Sequence, residues 1–136
     1  MITEDYVSFE IAKLLKEKGF ENSEPTCINV FKGHTYKIQD NEIIADDDIT
    51  IPTLQMAMKW LREVHNIHIA VNLTYSEEPK LFPPEYYVYI DNTLTGEPLI
   101  KEVCSLVQDE TLTPKGFKHS EEACEAAIKY CLENLI

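Results

Sequence analysis

The stretch LQMAMKWLREVHNIHIAVNLTY (54–75) changes its hydrophobic period once, at Asn66. Before that point Leu54, Ala57, Met58, Leu61 and Val64 recur at spacings of three and four, which lays them along one stripe of an α-helix. After it Ile67, Ile69, Val71, Leu73 and Tyr75 alternate with His68, Ala70, Asn72 and Thr74, the period of a strand with one buried face and one polar face. Thr53 stands where an N-cap is needed, Asn66 where a helix stops, and Trp60 lies on the flank of the stripe.

Working outward towards the C-terminus, the loop 76–84 ends in Pro83-Pro84, which cannot donate to a central ladder. A second strand follows over Glu85–Asp91. It places Tyr86, Val88 and Ile90 on one face and Tyr87 and Tyr89 on the other, so it is apolar on both sides. In residues 92–119 Leu99, Ile100, Val103, Cys104, Leu106 and Val107 have helical spacing after Pro98, while two β-branched positions and a nearby turn also allow a strand; a short helix or irregular segment is the favoured reading. The last helix is capped by Ser120, carries Glu121 and Glu122 in its first turn, and buries Cys124, Ala127, Ile128, Cys131 and Leu135.

Towards the N-terminus, the spacing predicts a helix from Glu4 to Lys18. Thr3 is its cap, Ile2 and Val7 form a hydrophobic staple, and Val7, Ile11, Leu14 and Leu15 make its stripe. Gly19 ends it in the position a left-handed residue takes, and Phe20 folds back onto the core. Cys27–Phe31 and Tyr36–Gln39 read as a hairpin turning at Lys32-Gly33-His34, and Asp40–Ile51 as an acidic irregular stretch with an apolar contact through Ile43 and Ile44. The order is α-β-β-α-β-β-mixed-α over 136 residues. Short links between neighbouring strands favour antiparallel pairing, and three amphipathic helices need a sheet face to cover. The expected fold is therefore α+β: a single domain over 1–136 with a three- to five-stranded, mainly antiparallel sheet packed by three helices.

Charge narrows the function classes. The chain has 24 acidic and 12 basic side chains and a formal net charge of -12, which disfavours direct binding of a nucleic-acid backbone. Acids and bases number 11 and 5 in residues 1–50, 6 and 3 in 51–100, and 7 and 4 in 101–136, so the excess is spread along the chain. Its densest point is Asp46, Asp47 and Asp48, preceded by Asp40 and Glu42. A solvated loop is the simplest reading of that run, and a surface for a basic partner is the sharper one. No apolar run is long enough to span a bilayer, and the acidic start Met-Ile-Thr-Glu-Asp differs from a signal peptide, so no membrane association is expected. Cys124 and Cys131 lie on one helix about 10.5 Å apart along its axis, too far to bridge. Free thiols of this kind fit a reducing cytoplasm.

Catalytic groupings are scarce. Only four glycines occur and no two are close, so a phosphate-cradling loop is excluded, and neither a G-x-S-x-G elbow nor a C-x-x-C pair is present. No catalytic, cofactor-binding or metal residue is assigned, and no cofactor is expected. Glu63, His65 and His68 form the one ligand-like cluster, but His65 ends a helix and His68 begins a strand, so the two-histidine face of a zinc helix is unavailable. His34 and His119 fall in predicted loops. The aromatic residues Tyr75, Tyr86, Tyr87, Tyr89 and Trp60 are either strand residues packed beneath helices or an interface; Tyr87 and Tyr89 decide between these if helices cover only one sheet face.

The segments SFEIAKLLKEKGF (8–20), PTLQMAMKWLREVHNIHI (52–69) and EEACEAAIKYCLENLI (121–136) resemble the small acidic proteins of gut Bacteroides genomes and their prophages or mobile elements. The resemblance implies a bacterial or phage-encoded cytoplasmic protein and transfers no catalytic residue. The leading expectation is a non-enzymatic accessory protein acting by contact with a protein partner or as a homodimer, with Tyr87, Tyr89, Asp46, Asp47 and Asp48 as the candidate surface. The alternatives are an acidic nucleic-acid mimic that occupies a DNA-binding protein, and a small metal-dependent enzyme using His65 and His68.

Overall fold

The computed structural model describes residues 5–20, 28–31, 34–37, 49–74, 77–78, 80–81, 83–100 and 116–136. The element order is α1 (Phe9–Glu17), β1 (Ile28–Phe31), β2 (His34–Lys37), β3 (Ile49–Ile51), α2 (Leu54–His65), β4 (Ile67–Leu73), β5 (Tyr86–Asn92), β6 (Pro98–Ile100) and α3 (Ser120–Asn134). The class is α+β as expected. The described strands form two antiparallel sheets of three, in the orders β2-β1-β3 and β4-β5-β6.

The unit that opened the sequence reading forms where its period predicts. Thr53 accepts a hydrogen bond at its Oγ1 from the Met56 N–H at 3.1 Å, and Asn66 takes a left-handed conformation with φ 59° that ends α2. Leu54, Ala57 and Leu61 are buried, but Val64 is 57% exposed, so the stripe stops short of the last turn. β4 then pairs with β5 in the register Ile67↔Asn92 to Leu73↔Tyr86, one residue later at each end of β5 than the predicted Glu85–Asp91. Tyr75, the last residue of the predicted strand, lies outside the described residues.

The start of α1 differs from the expectation. The helix begins at Phe9 rather than Glu4, because residues 5–7 run alongside 52–54 instead. Val7 N–H donates to Pro52 O at 3.1 Å, Leu54 N–H donates to Asp5 O at 2.9 Å, and Tyr6 bridges Thr53. A donor that the first turn of α2 would leave unpaired is thereby satisfied. Ser8 takes over as cap, its Oγ accepting from Ile11 N–H at 3.3 Å. The far end of α1 follows the sequence reading. Gly19 has φ 96°, its N–H donates to Lys16 O at 3.1 Å, and Phe20 N–H reaches Leu15 O at 2.9 Å, the two bonds of a Schellman motif. Phe20 is buried and meets Trp60 edge to face at 5.5 Å.

Three further differences are local. Ile49–Ile51 is a strand paired with β1 rather than the end of an irregular stretch, while 38–48 lie outside the described residues. Pro98–Ile100 is a strand, the alternative to the favoured short helix or irregular segment. Asn92 Oδ1 accepts from Leu94 N–H at 2.8 Å and Thr95 N–H at 3.3 Å, and Gly96 with φ 73° completes a turn that brings β6 back beside β5. Ser120 is the first residue of α3 and His119 occupies the cap position without a side-chain bond.

The hydrophobic core lies where α2 and α3 pack on β4 and β5 and where α1 meets α3 and β3. Val88, Ile90, Ile128, Cys131, Leu132, Leu15 and Leu61 are at its centre. Leu135, expected in the buried stripe, is half-buried, and Leu132 takes the deeper place. Ala123 and Ala127 are fully enclosed, so α3 presents small residues to its neighbours. A polar clasp joins α1 and α3: Ser8 N–H donates to Glu125 Oε1 at 2.6 Å, and Lys129 pairs with Glu10 at 3.3 Å.

Candidate functional site

The second sheet has two unlike faces. Its register sets Ile67, Ile69, Val88 and Ile90 on one side, all buried against α2 and α3. On the other side His68 faces Asp91, Ala70 faces Tyr89, and Asn72 faces Tyr87. Tyr89 is 37% exposed on this outer side, whereas Val88 and Ile90 beside it in sequence are fully buried; Leu99 on the adjoining strand β6 is also 37% exposed. Tyr87 is half-buried, packs against the margin of the core and keeps further partners. The two tyrosines singled out by alternation therefore lie on the face that the helices leave alone.

Leu99 lies on β6 beside β5, where the sequence reading favoured a short helix or irregular segment over the strand it also allowed. Its signal was the turn chemistry of Asn92 and Gly96, which closes a hairpin and turns Pro98–Ile100 into a third strand. A register shift falls between Ile90 and Asp91, a β-bulge of the kind that bends a strand and tightens its twist. The other end of β5 is held by a close approach. Tyr86 and Phe117 exchange backbone hydrogen bonds of 2.8 and 2.9 Å, and Gly116 N–H donates to Glu85 Oε2 at 3.0 Å. A Cβ at position 116 would lie 2.7 Å from the Glu85 Cβ, so only glycine fits there without a shift.

The histidine cluster does not converge. His65 ends α2 with its ring 4.7 Å from the Trp60 ring, and its Nε2 is enclosed without a hydrogen-bond partner. His68 projects from the exposed side of β4, and Glu63 is exposed on α2. The left-handed residue Asn66 and the alternation of the strand send the two imidazoles to different surroundings. No group of three His, Cys, Asp or Glu side chains able to hold a metal occurs among the described residues. His119 is exposed at the start of α3, and His34 opens β2.

Cys124 and Cys131 are free and buried. Burial raises the thiol pKa of both, helped at Cys124 by the Glu121 and Asp5 charges, and pushes Cys131 up to about 12. A thiol held protonated over the whole physiological range is a poor nucleophile. Asp46, Asp47 and Asp48, together with Cys27 and Cys104, lie outside the described residues.

What the arrangement presents on the side away from the helices is a partly exposed sheet face carrying Tyr87 and Tyr89. No described helix is long and apolar enough to cross a membrane. Comparison with known proteins returns no matching family model, no matching curated protein and no matching solved structure.

Proposed function

We propose that this chain is a non-enzymatic accessory protein of a bacterial or phage-like mobile element, that it works in the cytoplasm, and that it acts by protein–protein contact through the outer face of the β4-β5-β6 sheet. The observation that carries this reading is the exposure of Tyr89 on the side opposite the helices, beside a half-buried Tyr87, with Leu99 exposed on the adjoining strand β6. Tyrosine contributes large contact area at modest conformational cost and is enriched where interfaces concentrate their energy. The protonated, unbridged thiols of Cys124 and Cys131 support a reducing compartment, and the three resembling segments support the mobile-element origin.

A photo-reactive amino acid placed at position 89 tests the contact surface in cells of the source organism, with position 55, exposed on α2, as the control. The reading expects a defined cross-linked protein from position 89 that is absent from position 55 and is displaced by excess parent protein but not by a Tyr89→Glu/Leu99→Glu variant. Equal labelling from both positions, or displacement by the double variant, refutes it.

A further inference from the structure

Among the described residues the β4-β5-β6 sheet ends at β4, and no described strand pairs with its outer edge. Thr74 N–H donates to Glu85 O at 2.9 Å, and the register continues as Asn72↔Tyr87, Ala70↔Tyr89 and His68↔Asp91. Backbone groups alternate in an antiparallel ladder, so the even-numbered residues of β4 turn theirs to β5. Ile67, Ile69, Val71 and Leu73 turn theirs away. On that side no strand pairs with β4 among the described residues, whereas β5 is bonded on one side to β4 and on the other to β6 and Phe117. The edge runs seven residues, IHIAVNL, with no lysine, carboxylate or proline, and its ladder to β5 is unbroken. Charges, prolines and bulges are the devices that ordinarily keep an edge from pairing. Their absence is notable in a chain of net charge -12.

We propose that this edge pairs with the same edge of a second copy, antiparallel about a two-fold axis at Ala70. In that register the sequence is its own complement. Ile67 lies opposite Leu73, His68 opposite Asn72, Ile69 opposite Val71, and Ala70 opposite its own copy. Odd residues meet odd residues, so the outward-turned groups face each other and form about eight backbone hydrogen bonds between the chains, two for each directly bonded pair. The axis stands perpendicular to the sheet and keeps the helix-covered faces together. Leu73, 41% exposed in the single chain, then gains the apolar side chain at position 67 of the other copy. A strongly charged partner segment finds no countercharge along β4, while a second copy brings matching neutral residues throughout. The pairing uses the edge and not the outer face. It therefore does not depend on the contact function proposed for Tyr89 and Leu99, and it joins two such faces into one continuous sheet.

The test is the mass of the full chain in solution, by sedimentation equilibrium from low micromolar to submillimolar concentration. The parent is expected to form a dimer. Ala70→Lys and Ala70→Glu each set like charges opposite one another at the axis and weaken the dimer by about tenfold or more. An equimolar mixture of the two variants recovers a heterodimer of parental strength, because only at the axis does a residue oppose its own copy. Val71→Pro removes an outward N–H without touching a bond to β5 and opens the dimer by a separate route. Trp60 emission and far-ultraviolet circular dichroism report that each variant is folded. A monomer at every concentration, a dimer that these substitutions leave intact, or mixed variants that stay monomeric overturns the proposal. So does a dimer lost in Tyr89→Ser but kept in Val71→Pro, which assigns the contact to the outer face.

Discussion

The two faces of β5 differ by one residue in sequence and by almost everything in environment. Val88 and Ile90 are fully buried, while Tyr89 between them is 37% exposed. All three belong to residue types that favour strands, and nothing in their chemistry marks which side is to be covered. The difference comes from α2 and α3, whose buried stripes pack on the Ile67, Ile69, Val88 and Ile90 side. One face thus contributes to folding free energy, and the other keeps Tyr89 partly in contact with solvent.

Substitutions can break or sharpen this contrast. The largest effect is expected at Ile90→Ala, which opens a cavity in the enclosed face and costs about 2–5 kcal/mol in urea unfolding followed through Trp60 emission. Gly116→Ala comes next. Its Cβ would crowd the Glu85 side chain and the Tyr86 carbonyl, so Glu85 has to move, at a cost of about 1–3 kcal/mol. Thr53→Ala removes the cap of α2 and lowers stability by about 1 kcal/mol in the same titration.

The buried thiol predicts a pH dependence. Cys131 titrates near 12 in the folded chain, above its ordinary value of 9.0. A raised folded pKa means that the protonated thiol's contribution is fully present below about 9 and is lost as pH rises towards 12. Stability is expected to decline through that alkaline window. Cys131→Ala lowers stability at neutral pH and flattens the decline; an unchanged alkaline slope in this variant would place the loss elsewhere.

Much of this contrast was legible in the residues. The α2–β4 unit follows from one change of period and two special positions, Thr53 and Asn66, and the tyrosine alternation follows from strand geometry. What escaped depends on partners distant in sequence. The run Thr3-Glu4-Asp5 has the chemistry of a helix start, but residues 5–7 gain pairing with 52–54, over forty positions away. Ile49–Ile51 is hidden by the acids before it and becomes a strand because β1 lies alongside. Leu99 and Ile100 share a helical spacing with residues beyond them, and the Asn92–Gly96 turn overrides it. Of the candidate site, Tyr87 and Tyr89 were identifiable by period. Which face the helices would choose was not, since that depends on how three amphipathic stripes share one core.

The smallest expected effect is also the most direct test. Urea unfolding of the Tyr89→Ser/Leu99→Ser double variant, at one fixed protein concentration, asks whether the outer face is needed by the fold. The account predicts a free energy within about 0.5 kcal/mol of the parent for each substitution, as at surface positions. A loss of about 2 kcal/mol or more for the pair would show that these side chains belong to the core and would contradict a face kept free for contact.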